Sequence, residues 1–226
     1  MSRRYYFLLS SLPPVPEPGG PSPMDLASFR QLAAGEDPGA ARLVEAVLLE
    51  HDLLLRQAWL AGEKPDVQPV VLSDEQARGE APLPDYLQPS GDGRPVRVPA
   101  DATWDAYWHY VARIGRREGS EFLQQWVAYE VTLRNAIAGA RALVLGLEAA
   151  DFLVATDLGD PDAPVRETVL AWSAAPDPLK ALRVLEEARW QWADRNARYF
   201  SFAVDELAAY ARKLVLVTRW ERIKTQ

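Results

Sequence analysis

The apolar residues of the segment FLQQWVAYEVTLRNAIAGARALVLG recur with the period of an α-helix. Phe122, Trp126, Tyr129, Leu133, Ile137 and Val144 fall in one sector when each residue advances the helix by about 100°. The same period returns in Asp101 to Arg117, with an aromatic stripe of Trp104, Tyr107, Trp108 and Val111. It returns again in FAVDELAAYARKLVLVTRWERI, where Val204, Leu207, Tyr210, Leu214 and Val217 share a face. No stretch alternates long enough to build a sheet. The expected fold is therefore mainly α, an antiparallel helical bundle with long proline-rich connections.

Start and stop signals place the other helices. Ser22-Pro23 reads as an N-cap with proline at the first helical position, opening a short helix from Met24 to Ala34. Asp37-Pro38 repeats the signal, and a helix with Leu43, Val47, Leu54 and Ala58 on one side follows until Gly62 stops it. Ser120 is the expected cap of the helix from Phe122. Pro178 opens a helix through Trp190 and Trp192 that ends near Asn196, and Gly159-Asp160-Pro161-Asp162 reads as a turn. Residues 63–100 hold Pro65, Pro69, Pro82, Pro84, Pro89, Pro95 and Pro99. This is a surface connection in which residues 73–78 fit two helical turns, with Leu83 and Leu87 as anchors. The reading is one domain over residues 1–226, with a candidate lobe boundary in 63–100.

Composition closes off several chemistries. Without cysteine, neither a disulfide framework nor a thiolate metal site can form. A net charge of −7 speaks against nucleic acid as the main partner. No apolar run approaches the roughly 18 residues of a membrane span, so no direct insertion is expected. The two histidines lack helical metal partners: Leu48 and Leu55 flank His51, and Ala106 and Arg113 flank His109. Nucleophile elbows and phosphate loops are absent. The expectation is a chain with no catalytic residue, metal or cofactor. An unrecognised acidic pocket near His51 or His109 is what an enzyme would need instead.

The opening MSRRYYFLLSSLPPVP poses a separate choice. Its two arginines suggest a twin-arginine export signal, but Ser10 and Ser11 interrupt the apolar stretch and prolines follow it. Residues 1–12 are expected to be ordered and packed against helices. Elsewhere, Glu130, Arg134 and Arg141 lie within about 40° of one another at the edge of the apolar sector. They read as a solvated helix pair, a half-buried polar seam or a docking edge. Lys213, Arg219 and Arg222 pose the same choice on the last helix, whose C-terminus favours cations.

Three segments carry a resemblance. Tyr5-Tyr6-Phe7-Leu8-Leu9-Ser10-Ser11-Leu12-Pro13 resembles the opening of an uncharacterised family encoded in bacterial V-type ATPase operons. Tyr129-Glu130 through Leu133-Arg134-Asn135, with Arg141, resembles that family's central helix. Phe200 to Trp220, especially Tyr210-Ala211-Arg212-Lys213-Leu214 and Arg219-Trp220, is similar to its C-terminal helix. A more distant similarity is to the central-stalk C (d) subunit, a helical socket between shaft and membrane ring. The resemblance implies a non-catalytic subunit or assembly factor of the rotary ATPase. Its partners would be other ATPase subunits, and it would be cytoplasmic and held at the inner membrane only through them. Glu130, Arg134, Asn135 and Arg141 are the implied seam or partner-binding residues, with Tyr210, Lys213, Arg219 and Trp220 as secondary candidates. A generic helical adaptor is the rival reading.

Overall fold

The computed structural model describes residues 4–88 and 98–225. Helix accounts for 69% of the chain, with no strand among the described residues, so the protein is an all-helical bundle. The helices are α1 (Tyr6–Ser11), α2 (Leu26–Glu36), α3 (Pro38–Leu60), α4 (Asp74–Arg78), α5 (Pro99–Glu118), α6 (Glu121–Leu145), α7 (Arg166–Ser173), α8 (Pro178–Asn196) and α9 (Val204–Thr225). Residues 1–3, Pro89, Pro95 and the side chain of Arg222 lie outside what is described. The chain divides into two compact units. One comprises Met1–Leu83, Ile114–Phe122 and Arg189–Gln226, the other Pro84–Arg113 and Leu123–Ala188. The first division, at Leu83–Pro84, falls inside the proline-rich connection; the others fall within α5, early in α6 and within α8.

In the first unit α3 packs against α9, α2 and α4. Its start is as expected: Asp37 accepts from the N–H groups of Gly39 and Ala40, and Pro38 needs no partner at the first position. The chain leaves through Gly62, whose φ of +85° suits glycine. The one-sided stripe is corrected, however. Leu54 and Ala58 are only half-buried, whereas Val44, Leu48 and Leu49 are buried along with Leu43 and Val47. A helix surrounded by three others buries more than one face. The cap of α2 is also corrected. Asp25 accepts from Ser28 N–H at 2.7 Å, while Ser22 turns to Thr218 and Glu221 of α9. The short α4 has a full capping box between Ser73 and Gln76.

The described part of the opening segment forms α1 and packs against the stretch before α9. Tyr5 and Leu8 are buried, and Tyr5 N–H donates to Phe202 O at 2.7 Å. Phe7 points outward. Near it, Phe200 and Phe202 adopt left-handed φ of +59° and +52°, values that bulky side chains avoid. Glu206 holds them there by accepting from Phe200 N–H at 3.0 Å and Phe202 N–H at 2.7 Å.

In the second unit the aromatic stripe of α5 is buried as read, with Tyr107 and Trp108 edge to face at 4.7 Å. Pro99 is not part of the connection: it opens α5 two residues early, where a missing N–H costs nothing. Leu87 is fully buried and anchors the connection. The stripe of α6 holds through Ile137, but Val144 is 85% exposed, and Leu143 and Leu145 beside it are exposed too. Helix α7 carried no start signal that singled it out. Residues 154–160 are fastened to α5 and α6 by Asn135, Asp105, Thr132 and His109.

Candidate functional site

Arg134, Asn135 and Arg141 of α6 are each placed by a neighbour in the second unit. Glu130 is buried. Arg134 donates to Asp101 Oδ1 at 2.9 Å and lies 5.0 Å over the Trp104 ring. Asn135 grips Val154 from both sides, donating to its carbonyl at 2.8 Å and accepting from its N–H at 3.0 Å. Arg141 lies 5.1 Å over Trp172. Arg134 is thus joined to α5, Asn135 to the segment after α6, and Arg141 to α7. These contacts hold helices together, and only Arg141 is exposed.

The secondary candidates belong to the interior of the first unit. Tyr210 donates to Pro13 O at 2.9 Å, and burial pushes its phenol up to about 12, so it remains a donor at neutral pH. Lys213 Nζ reaches Asp194 at 2.6 Å and Tyr199 at 2.7 Å, over the Trp190 ring at 4.4 Å. Trp220 is buried. Arg219 donates to Glu50 Oε1 at 3.2 Å.

Glu50 was not singled out by its sequence, yet it is the centre of that interior. It is 4% exposed on α3, and Arg212 of α9, 1% exposed, grips both of its oxygens. Burial alone would raise its carboxyl; Arg212, Arg219 and Arg189 outweigh this and hold it below the ordinary glutamate value. One signal was available: Arg212 and Arg219 are seven residues apart, which brings them within about 20° on a helix. Two positions along, the buried Asp52 accepts from three successive N–H groups, Val70 at 2.8 Å, Val71 at 2.6 Å and Leu72 at 2.8 Å. Burial pushes this carboxyl up, against the pull of those three bonds. Asp205 similarly takes Ser120 Oγ–H and Phe122 N–H, so a carboxylate from α9 sits at the start of α6.

The histidines have different settings. His109 Nδ1 meets Asp105 O at 2.9 Å and Nε2 meets Asp157 Oδ2 at 3.2 Å. Burial lowers its pKa, but the Asp105 carbonyl and the Asp157 carboxylate more than reverse this, leaving it above 6.5. The folded protein therefore binds this proton more tightly than the unfolded chain. The stabilisation is complete below pH 6.5 and is lost as pH rises through the folded value. An NMR titration is expected to place His109 above 6.5, and Asp157→Asn to bring it down. His51, buried on α3, lines a cavity of about 420 Å³ in the first unit. Asp25 and Glu221 also line it, together with Ser22, Thr218 and an apolar wall.

Among the described residues no group of three His, Asp or Glu is placed to hold a metal ion. No described helix is long and apolar enough to cross a membrane. Fold and geometry thus define an all-helical protein whose charged candidates mostly join one helix to another. Comparison with protein-family models, curated proteins and solved structures finds no match.

Proposed function

We propose that this chain is a non-catalytic subunit or assembly factor of a bacterial V-type rotary ATPase, acting at the central stalk between shaft and membrane ring. The observation that carries this reading is the meeting of the terminal segments that bear the resemblance. Tyr5 bonds to Phe202, and Tyr210 to Pro13, so segments nearly the whole chain apart share one unit. Those segments also display Phe7 and Phe200, each 84% exposed. A left-handed backbone that holds a bulky aromatic in solvent costs stability of order 1–3 kcal/mol, which a docked partner would justify. Its partners are other subunits of the ATPase, through which it sits at the membrane periphery.

An enzyme is the second reading, favoured by the carboxylates beside His51. Against it, Ser28 donates its N–H and its hydroxyl to the two oxygens of Asp25. These bonds hold the carboxyl below its ordinary range. A carboxylate so fixed is a poor proton carrier at neutral pH.

Phe200→Asn tests the docking surface. Asparagine tolerates the left-handed backbone, so stability in urea is expected to rise by about 0.5–1 kcal/mol. Recovery of ATPase subunits with the tagged chain should fall several-fold. Arg134→Glu, which sets two carboxylates against each other at Asp101, is expected to lower the melting temperature instead. Undiminished recovery with Phe200→Asn would remove this surface from the account.

A further inference from the structure

His109 of α5 presents each ring nitrogen to oxygens that can only accept. Nδ1 lies 2.9 Å from the Asp105 carbonyl and 3.3 Å from the Asp105 carboxylate, and Nε2 lies 3.2 Å from Asp157 Oδ2. A neutral imidazole carries one N–H and one lone pair in either tautomer, whereas the imidazolium donates from both nitrogens. Only the charged ring therefore satisfies both sides at once. The Asp105 carbonyl is fixed one turn back on the same helix, so Nδ1 keeps its N–H when the proton leaves. The lone pair then falls at Nε2, against Asp157.

Asp157 is free to yield. It belongs to the short 3₁₀ turn Thr156–Leu158, and its side chain is 67% exposed. That turn hangs between two fastenings to α6 that do not titrate. Asn135 holds Val154 on one side, and the Thr132 hydroxyl holds Asp160 N–H at 2.8 Å on the other. Between them, Ala155 has a left-handed φ of +43°, which alanine disfavours, and its N–H donates to Asp105 Oδ1 at 2.6 Å. One proton on His109 thus draws in both the carboxylate that pins Ala155 and the carboxylate of the turn after it. Other charges on α5 and in this segment are turned elsewhere. Arg113 lies 5.5 Å over the Tyr110 ring, Asp101 takes Arg134, and Asp160 takes the Asp162 N–H. We infer that His109, Asp105 and Asp157 form a proton-binding latch, which closes the turn Thr156–Leu158 onto α5 when protonated and releases it when the proton leaves. The raised pKa of His109 agrees in sign, since a closed state that prefers the proton shuts below that value and opens above it. The latch regulates the segment that leads from α6 to α7.

The test follows the full chain by NMR from about pH 5 to 9, which brackets a raised histidine. The backbone amides of Thr156, Asp157 and Leu158 are expected to titrate with the midpoint of the His109 ring. Leu158 N–H, which bonds to Ala155 O at 2.9 Å, should lose exchange protection several-fold above that midpoint, after correction for the intrinsic pH dependence of exchange. Leu133, buried on α6, should not. Asp157→Asn separates a latch from a merely structural bond. Its carboxamide can donate to the lone pair of neutral Nε2, so the turn should stay protected above the wild-type midpoint although a charge has been lost. His109→Gln should abolish the titration of the turn, with circular dichroism to check that the fold is kept. Three results would overturn the proposal. These are turn amides that do not follow His109, protection at Leu158 that is equal on both sides of the midpoint, and an Asp157→Asn turn that opens at the wild-type midpoint or is open at every pH. Because no ATPase is present, the outcome is independent of the rotary-ATPase reading.

Discussion

Glu50→Ala is expected to destabilise the protein by about 3–5 kcal/mol, the usual cost of removing one partner from a buried ion pair. The loss leaves Arg212, 1% exposed, without the carboxylate it grips, and leaves Arg219 and Arg189 without their attraction to it. Arg212→Met is the informative companion, since it strands Glu50 instead. The double replacement Glu50→Leu with Arg212→Met should recover much of the loss, because an apolar pair of similar volume often equals a buried ion pair. Urea denaturation of the four proteins measures the coupling. The same group gives a pH signature. The folded carboxyl lies below the ordinary 4.5, so its contribution is complete above that pH and lost as pH falls below it. Acid unfolding should flatten in Glu50→Ala. Additive single-site costs would mean that the pair holds nothing together.

Asp52→Ala is expected to cost about 2–4 kcal/mol, because three backbone N–H groups lose a common acceptor and one of them is buried. The effect should be local as well as global. Hydrogen exchange at Val70, Val71 and Leu72 is expected to accelerate far more than at Leu48 or Leu214, which lie in the core. Asp52→Asn keeps one acceptor and should fall between. Uniform acceleration across α3 and α9 would show that the carboxylate supports the core and not the connection.

The elements that could be read from sequence are those whose ends carry backbone chemistry. Asp37-Pro38 marks its helix because a side-chain oxygen and a missing N–H act on the nearest turn alone. The stripe of Trp104, Tyr107, Trp108 and Val111 was legible because α5 buries an aromatic face. Failures came where a distant residue decided the outcome. Ser22 was free to leave its turn because Thr218 and Glu221 offered partners. Val144 fits the apolar sector of α6, but the last turn of the helix, Leu143 to Leu145, is exposed, so the pattern continues into solvent. Glu50 was not singled out, because nothing in its neighbours His51 and Asp52 marks a buried acid. Only the arginines of α9, some 160 residues later, bring it inside. Of the candidate site, Arg134, Asn135 and Arg219 were named from sequence, while Asp101, Val154 and Glu50 were not recognised as their partners. Long-range pairing of that kind leaves no local mark.

The central claim is association with a rotary ATPase, and subunit mass spectrometry tests it most directly. The V-type ATPase is isolated from its native cell through a tag on another subunit, and its components are identified with this chain left untagged. The account predicts that the chain is present in the complex, or in a shaft-and-ring assembly intermediate, and that Phe200→Asn depletes it. Its absence from the complex and from every intermediate, in cells that contain it, would contradict the account.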